Sequence, residues 1–322
     1  MRKYLLIAGL ACLSMQGYAF SPKSGELSNV TRLTNDAAAK FENPRFSPDG
    51  KQIAFTNFGY DGLFVMNADG TNMRQISDAS GVGYDFKWSA DAQSILVRDT
   101  RWEGTEGDMT RAHAAVVINT ADGKAVKVTA DHPDMQPPVW RYAGTKARVV
   151  SDAETAVVAT RPLKAAALKD FEQTALRVEY QIGFITDTET LNTIDANGNI
   201  SVIYNGCALE PKLSPDGRRV AFNDEFDNVK VMNIDGTGLT EIAKGFRPAW
   251  LNDGQLVIER TTDDGHTYLT GDLFMVNLDS KAEKALTKTS NRIEMNPAVS
   301  ADGNRIVFTD FNDGQVYIAE IK

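Results

Sequence analysis

One seven-residue pattern recurs six times along this chain, and a repeat at such spacing limits the fold more than any other property of the sequence. Each copy has Pro or a substitute, any residue, a large apolar residue, and then a four-residue turn. Two copies are near-identical, Pro44-Arg45-Phe46-Ser47-Pro48-Asp49-Gly50 and Pro211-Lys212-Leu213-Ser214-Pro215-Asp216-Gly217. The others centre on Trp88, Trp140, Trp250 and Val299. The turn chemistry is physical: Pro presets φ at the second corner, Asp tolerates the next, and Gly accepts positive φ where the chain reverses. β-rich runs follow, such as Gln52-Ile53-Ala54-Phe55-Thr56 and Arg305-Ile306-Val307-Phe308-Thr309, whose period of two predicts strands with one face buried.

A second hairpin follows in most copies, marked by Asp-Gly in Val65-Met66-Asn67-Ala68-Asp69-Gly70-Thr71 and in Val231-Met232-Asn233-Ile234-Asp235-Gly236-Thr237. Each unit is thus a four-stranded meander of roughly forty residues, the size of one propeller blade. The last copy ends after its third strand, Gln315 to Ala319, while Leu27 to Thr34 resembles the fourth strands of other copies. The expectation is an all-β, six-bladed β-propeller of four-stranded antiparallel blades over residues 20–322, closed by an N-terminal strand that completes the last blade. One unit is stretched: 73 residues separate Gly144 from Gly217, which implies an insertion near 152–190. Its Ala-, Leu- and Lys-rich stretch from Arg161 to Leu176 predicts a short helix.

These motifs together, Ser-Pro-Asp-Gly before a β run, then Val-Met-Asn-x-Asp-Gly-Thr and Arg74-Gln75-Ile76-Ser77, resemble the repeat of the TolB-like propeller family over residues 27–322. The resemblance implies a periplasmic docking platform for a partner protein. It leaves activity open, because peptidase propellers and oligogalacturonate lyases carry similar repeats. TolB has an additional N-terminal α/β domain, for which the stretch between Ala19 and the first strand offers no counterpart.

The first nineteen residues read as a secretory signal peptide: a basic start at Arg2-Lys3, an apolar run from Tyr4 to Leu13, and a small-x-small site ending at Ala19. Cys12 gives a lipoprotein alternative that the residues before it match poorly. No run approaches the twenty apolar residues of a membrane helix. A periplasmic or secreted monomer is expected. If Cys12 leaves with the leader, Cys207 is the one thiol left, so no internal disulfide can form. The formal net charge of −9, made more negative by loss of Arg2 and Lys3, argues against nucleic acid.

In a propeller of this phase the two turn types share one face, and the loops between second and third strands share the other with the inter-blade loops. Function is expected on that second, loop-bearing face. Its acidic rim, with Asp61, Trp102, Glu103, Asp224, Glu225, Asp227, Asp263 and Asp264, is a candidate partner surface. The residues that precede each patterned Pro or its substitute should ring the channel mouth: Asn43, Asp85, Gln136, Glu210, Arg247 and Asn296. Among them, Arg247 beside acids suits a small polar or anionic ligand. The three histidines His113, His132 and His266 have no metal-site spacing, and no G-x-S-x-G elbow occurs. The reading is therefore a non-catalytic binding platform for an envelope protein or small polar ligand, with no catalytic residue or resident cofactor named. The alternative is a carbohydrate-active lyase or hydrolase using carboxylates or a divalent cation at the channel mouth.

Overall fold

The computed structural model describes residues 23–105, 108–133, 135, 137–141, 146–150, 155–159, 183–186, 190–194 and 200–322. Five four-stranded antiparallel blades are present among them. The first comprises β2 (Phe41–Phe46), β3 (Gln52–Asn57), β4 (Leu63–Asn67) and β5 (Arg74–Ser77). The second comprises β6 (Lys87–Trp88), β7 (Ser94–Thr105), β8 (Asp108–Asn119) and β9 (Ala125–Lys127). Two more follow late in the chain: β16 (Leu209–Leu213) to β19 (Thr240–Lys244) through β17 (Arg219–Asn223) and β18 (Asn228–Asn233), then β20 (Phe246–Asn252), β21 (Gln255–Asp263), β22 (Tyr268–Asn277) and β23 (Glu283–Ala285). The last blade is β24 (Glu294–Val299), β25 (Arg305–Asp310), β26 (Gln315–Ile321) and β1 (Leu27–Arg32), in the order β1-β26-β25-β24. The N-terminal strand does close the final blade, with Leu27 opposite Ile321.

The six-blade count does not hold. Residues expected to make one four-stranded unit form two three-stranded sheets, β10 (Val139–Arg141), β11 (Lys146–Val150) and β12 (Thr155–Ala159), then β13 (Gly183–Thr186), β14 (Thr190–Ile194) and β15 (Ile200–Asn205). The turn copy centred on Trp140 lies in the first of these sheets, while β14 and β15 pair in the second. The second sheet carries no copy of the turn motif, so counting motifs could not reveal it. The expected helix over 161–176 and the leader over 1–19 lie outside the described residues. No helix occurs among those described.

The middle strands correct a second expectation. Four consecutive residues of β3, Ile53 to Thr56, are buried, and β17 and β25 behave alike. Ala54 packs in a cluster with Phe86, Ile95 and Val97 of the second blade, whereas Ile53 and Phe55 pack with Val307 and Val316 of the last blade. A propeller blade is covered on both faces by its neighbours, so both sets of alternating side chains are apolar. Phe55, Phe222 and Phe308 hold equivalent positions and are fully buried. Truncating any one of them to Ala is the kind of change that costs about 3–5 kcal/mol.

The turns explain their own residue types. Ser47 Oγ donates to Asp49 Oδ1 at 2.7 Å and accepts from Gln52 N at 2.9 Å, and Gly50 N donates to Ser47 O at 2.8 Å. Ser89/Asp91, Ser214/Asp216 and Ser300/Asp302 repeat the first bond. The fourth turn residue has φ of 67° at Gly50 and 57° at Ala92, the copy that departs from Gly. Ala68 N bonds Lys51 O at 2.8 Å and Ile234 N bonds Arg218 O at 3.0 Å, which places both turn types on one face as expected.

Candidate functional site at the channel mouth

The five described ring residues share an unusual backbone: φ is 52° at Asn43, 50° at Asp85, 48° at Glu210, 49° at Arg247 and 56° at Asn296. Asn and Asp accept this left-handed conformation readily, whereas for Glu and Arg it costs about 1–2 kcal/mol. Four of the five sit at a bulge in an inner strand, where pairing shifts between Glu42 and Arg45, Leu209 and Lys212, Phe246 and Ala249, and Met295 and Ala298. The Pro that follows has no N–H, so the interrupted ladder loses no donor there. A bulge re-aims its strand, and four of these residues, Asn43, Glu210, Arg247 and Asn296, line one cavity of about 290 Å³. Gln136 lies outside the described residues.

Arg247 is the centre of the mouth. Its Nη1 donates to Glu259 Oε1, and its Nε lies 3.4 Å from Glu210 Oε1. Glu259 is fully buried on β21, and its other oxygen accepts Asn296 N at 2.5 Å. Burial pushes the Glu259 carboxyl up, against the pull of the Arg247 guanidinium. Burial also works against the Arg247 charge, but Glu259 and Glu210 hold it firmly. Asn223 Oδ1 accepts Arg247 N at 3.0 Å and fixes the strained backbone. The pair is thus built in, with Glu210 left half-exposed beside it.

Two residues deeper, a second ring appears. Arg45, Lys87 and Lys212 occupy the same slot of three inner strands, one after the patterned Pro or its substitute, and all line the same cavity. Asp85 takes Lys87 Nζ at 2.6 Å and Arg45 Nη1 at 3.3 Å. Burial alone would raise the Asp85 carboxyl, but Lys87, Arg45 and Lys212 hold it well below the usual range. Burial pushes the Lys212 ammonium down to about 8, and Arg45 and Lys87 repel it further while Glu210 and Asp85 oppose the shift. The same slot is tied between blades: Trp88, Trp140 and Trp250 Nε1 donate to the carbonyls of Arg45, Lys87 and Lys212 at 3.3, 2.9 and 2.9 Å.

On the loop-bearing face, a second cavity of about 280 Å³ reaches Arg247 and Asn296 from above, between Phe58, Tyr60, Tyr268 and Phe311. Glu42 closes its wall by accepting the N–H groups of Gly59 and Tyr60 at 2.7 and 2.9 Å. Tyr60 meets Tyr84 edge-on at 5.3 Å, and Tyr268 meets Phe311 likewise at 5.1 Å.

Several of the acidic rim residues are tied to their own loops. Asp61 accepts Ser80 Oγ and Gly81 N, and Asp263 and Asp264 accept N–H groups of their own turn. Asp224 is buried and takes Lys230 Nζ at 2.7 Å, Asn228 N and Phe226 N, which keep its carboxyl well below the usual range although burial opposes this. Glu225 and Asp227 remain exposed. Trp102 and Glu103 stand on the projecting β7–β8 hairpin, where Arg111 lies 4.9 Å over the Trp102 ring.

Sequence reading missed Glu259, Glu42, Tyr60 and the three-cation ring. Glu259 had a signal, a charged residue closing the apolar run Leu256-Val257-Ile258. Arg45, Lys87 and Lys212 had another, the same slot of the repeat filled by cations. Among the described residues no group of three or more His, Cys, Asp or Glu side chains is placed to hold a metal ion.

No protein-family model matches the sequence. A TolB homolog of Chlorobium luteolum is 26% identical over 122 residues, 35% of this chain. The match spans about a quarter of that relative's length. A TolB-type structure from Agrobacterium tumefaciens superposes with a TM-score of 0.52 over 91% of this chain and 96% of its own, at 14% identity. The fold is a β-propeller, similar to that of TolB. The architecture is widely shared: the Cps50 (Swd1) β-propeller domain of Myceliophteria thermophila superposes with a TM-score of 0.56 over 94% of this chain and all of its own, at 11% identity. The TolB-like likeness first read from the turn and hairpin motifs is thus met in sequence and in fold. No helix of the described residues is long and apolar enough to cross a membrane.

Proposed function

We propose that this TolB-like propeller is a non-catalytic docking platform of the cell envelope, which receives a partner protein on its loop-bearing face. One observation carries the reading. Among the described residues every exposed large aromatic side chain, Phe58, Tyr84, Trp102 and Phe226, stands on that face. Exposed aromatics grouped on one surface are the anchors that protein interfaces use, and a monomer left in water gains nothing from them. The leader-like residues 1–19 and the likeness to TolB homologues support an envelope location, periplasmic or secreted.

The acids of this face contribute less than their number suggests, because Asp61, Asp224, Asp263 and Asp264 hold their own loops. The expected anchors are aromatic instead. A Phe58→Ser/Phe226→Ser variant should recover at least tenfold less of the protein that co-purifies with wild type from envelope extract. Met73→Ser, on the turn-bearing face and 39% exposed, should recover it fully. Equal recovery by all three proteins would remove the loop-bearing face from the reading.

A further inference from the structure

We propose that the hub of the propeller is a binding site for a small oxyanion, a carboxylate or phosphate, held by Arg45, Lys87 and Lys212. The three cations come from inner strands of three different blades and line one cavity of about 290 Å³. Their carboxylate complement is incomplete. Asp85 is shared by Lys87 and Arg45, and the carboxylates beside Arg247 are taken up by it: Glu259 is buried against its guanidinium, and Glu210 stands 3.4 Å from its Nε. Lys212 Nζ makes no hydrogen bond or ion pair among the described residues. The cavity therefore carries a positive excess inside a chain whose formal net charge is −9.

A cation facing other cations in a confined space is unfavourable unless something negative joins them. An anion seated between the three would bridge Lys212 to Arg45 and Lys87 and strengthen each contact by low local dielectric. Pro44, Pro248, Pro297 and Trp250 supply apolar walls beside the charged floor. The volume suits a ligand of metabolite size rather than a polymer. This inference concerns the hub and stands apart from protein docking on the aromatic face.

The test is calorimetric titration of the full mature protein at low ionic strength with two probes, inorganic phosphate and succinate. Saturable one-site binding of at least one probe is expected, and the two arms separate phosphate from carboxylate recognition. Lys212→Met should weaken binding at least tenfold, whereas Lys212→Arg should retain it. Charged groups facing Lys212 are Arg45, Asp85, Lys87, Glu210 and Arg247. Succinate binding should weaken several-fold between pH 7 and about 9.5, as Lys212, whose ammonium burial pushes down to about 8, loses its proton. Phe58→Ser/Phe226→Ser should bind the anion as wild type does, so a failure of docking and a failure of the hub site are distinguishable. Absence of saturable binding by either probe, or equal affinity in Lys212→Met with unchanged circular dichroism, overturns the proposal.

Discussion

Arg247→Met should lower the folding stability by about 3–5 kcal/mol, read as a drop in the urea midpoint, because it leaves the Glu259 carboxylate buried without its cation. Glu259 is fully buried, and the one other bond to its carboxylate comes from Asn296 N. The double variant Arg247→Met/Glu259→Leu should recover most of that loss, since a well-packed apolar pair needs no charge compensation. The pH dependence has a definite sign. With Arg247 gone, the folded-state pKa of Glu259 lies further above the unfolded value, so the folded protein binds more protons across the interval between them. Stability then falls as pH rises through that interval, and the deficit of Arg247→Met against wild type should shrink toward pH 5. A double variant that unfolds at the same urea concentration as the single one would show that the two side chains are not coupled.

Deletion of residues 23–32 should destabilise the propeller on the order of 5 kcal/mol, since it removes the antiparallel ladder that β1 forms with β26. Further bonds go with it, among them Lys23 N to Gln255 Oε1 at 2.9 Å, Gly25 N to Lys322 O at 2.9 Å, and Lys322 N to Glu26 O at 3.0 Å. The second link ties the segment before β1 to Lys322, and the first ties that segment to the neighbouring blade. Leu27 also leaves the cluster it shares with Ile306, Phe308 and Ile321. The β26 edge, newly open, would pair with other copies. A thermal melt lowered by roughly 10 °C, together with a concentration-dependent larger species in size-exclusion chromatography, is the expected outcome. An unchanged melting temperature would mean that β1 is dispensable for closure.

Much of this was legible in the residues. The turn motif announced its hairpins because Ser, Asp and Gly each act within four or five residues of themselves, as Ser47, Asp49 and Gly50 do. The closing strand was legible because Leu27 to Thr34 shares its pattern with the fourth strands of other blades. Repeat register alone named equivalent positions, and the five that are described, Asn43, Asp85, Glu210, Arg247 and Asn296, share a left-handed backbone. The blade count was not legible, because β13, β14 and β15 make a sheet that lacks the motif by which blades were counted.

The sequence by itself determined the local chemistry of this protein: which residues reverse the chain, which runs pair as strands, and that the units stack into a propeller. Tertiary structure alone decided the site. Arg45 and Lys212 are 167 positions apart yet line one cavity, Arg247 selects the buried Glu259 of its own blade, and Asp224 turns inward to serve a loop. Repeats encode contacts within a blade, where partners are close along the chain. The distances that set the charge balance at the hub run across the channel, where they depend on how the blades are arranged around it.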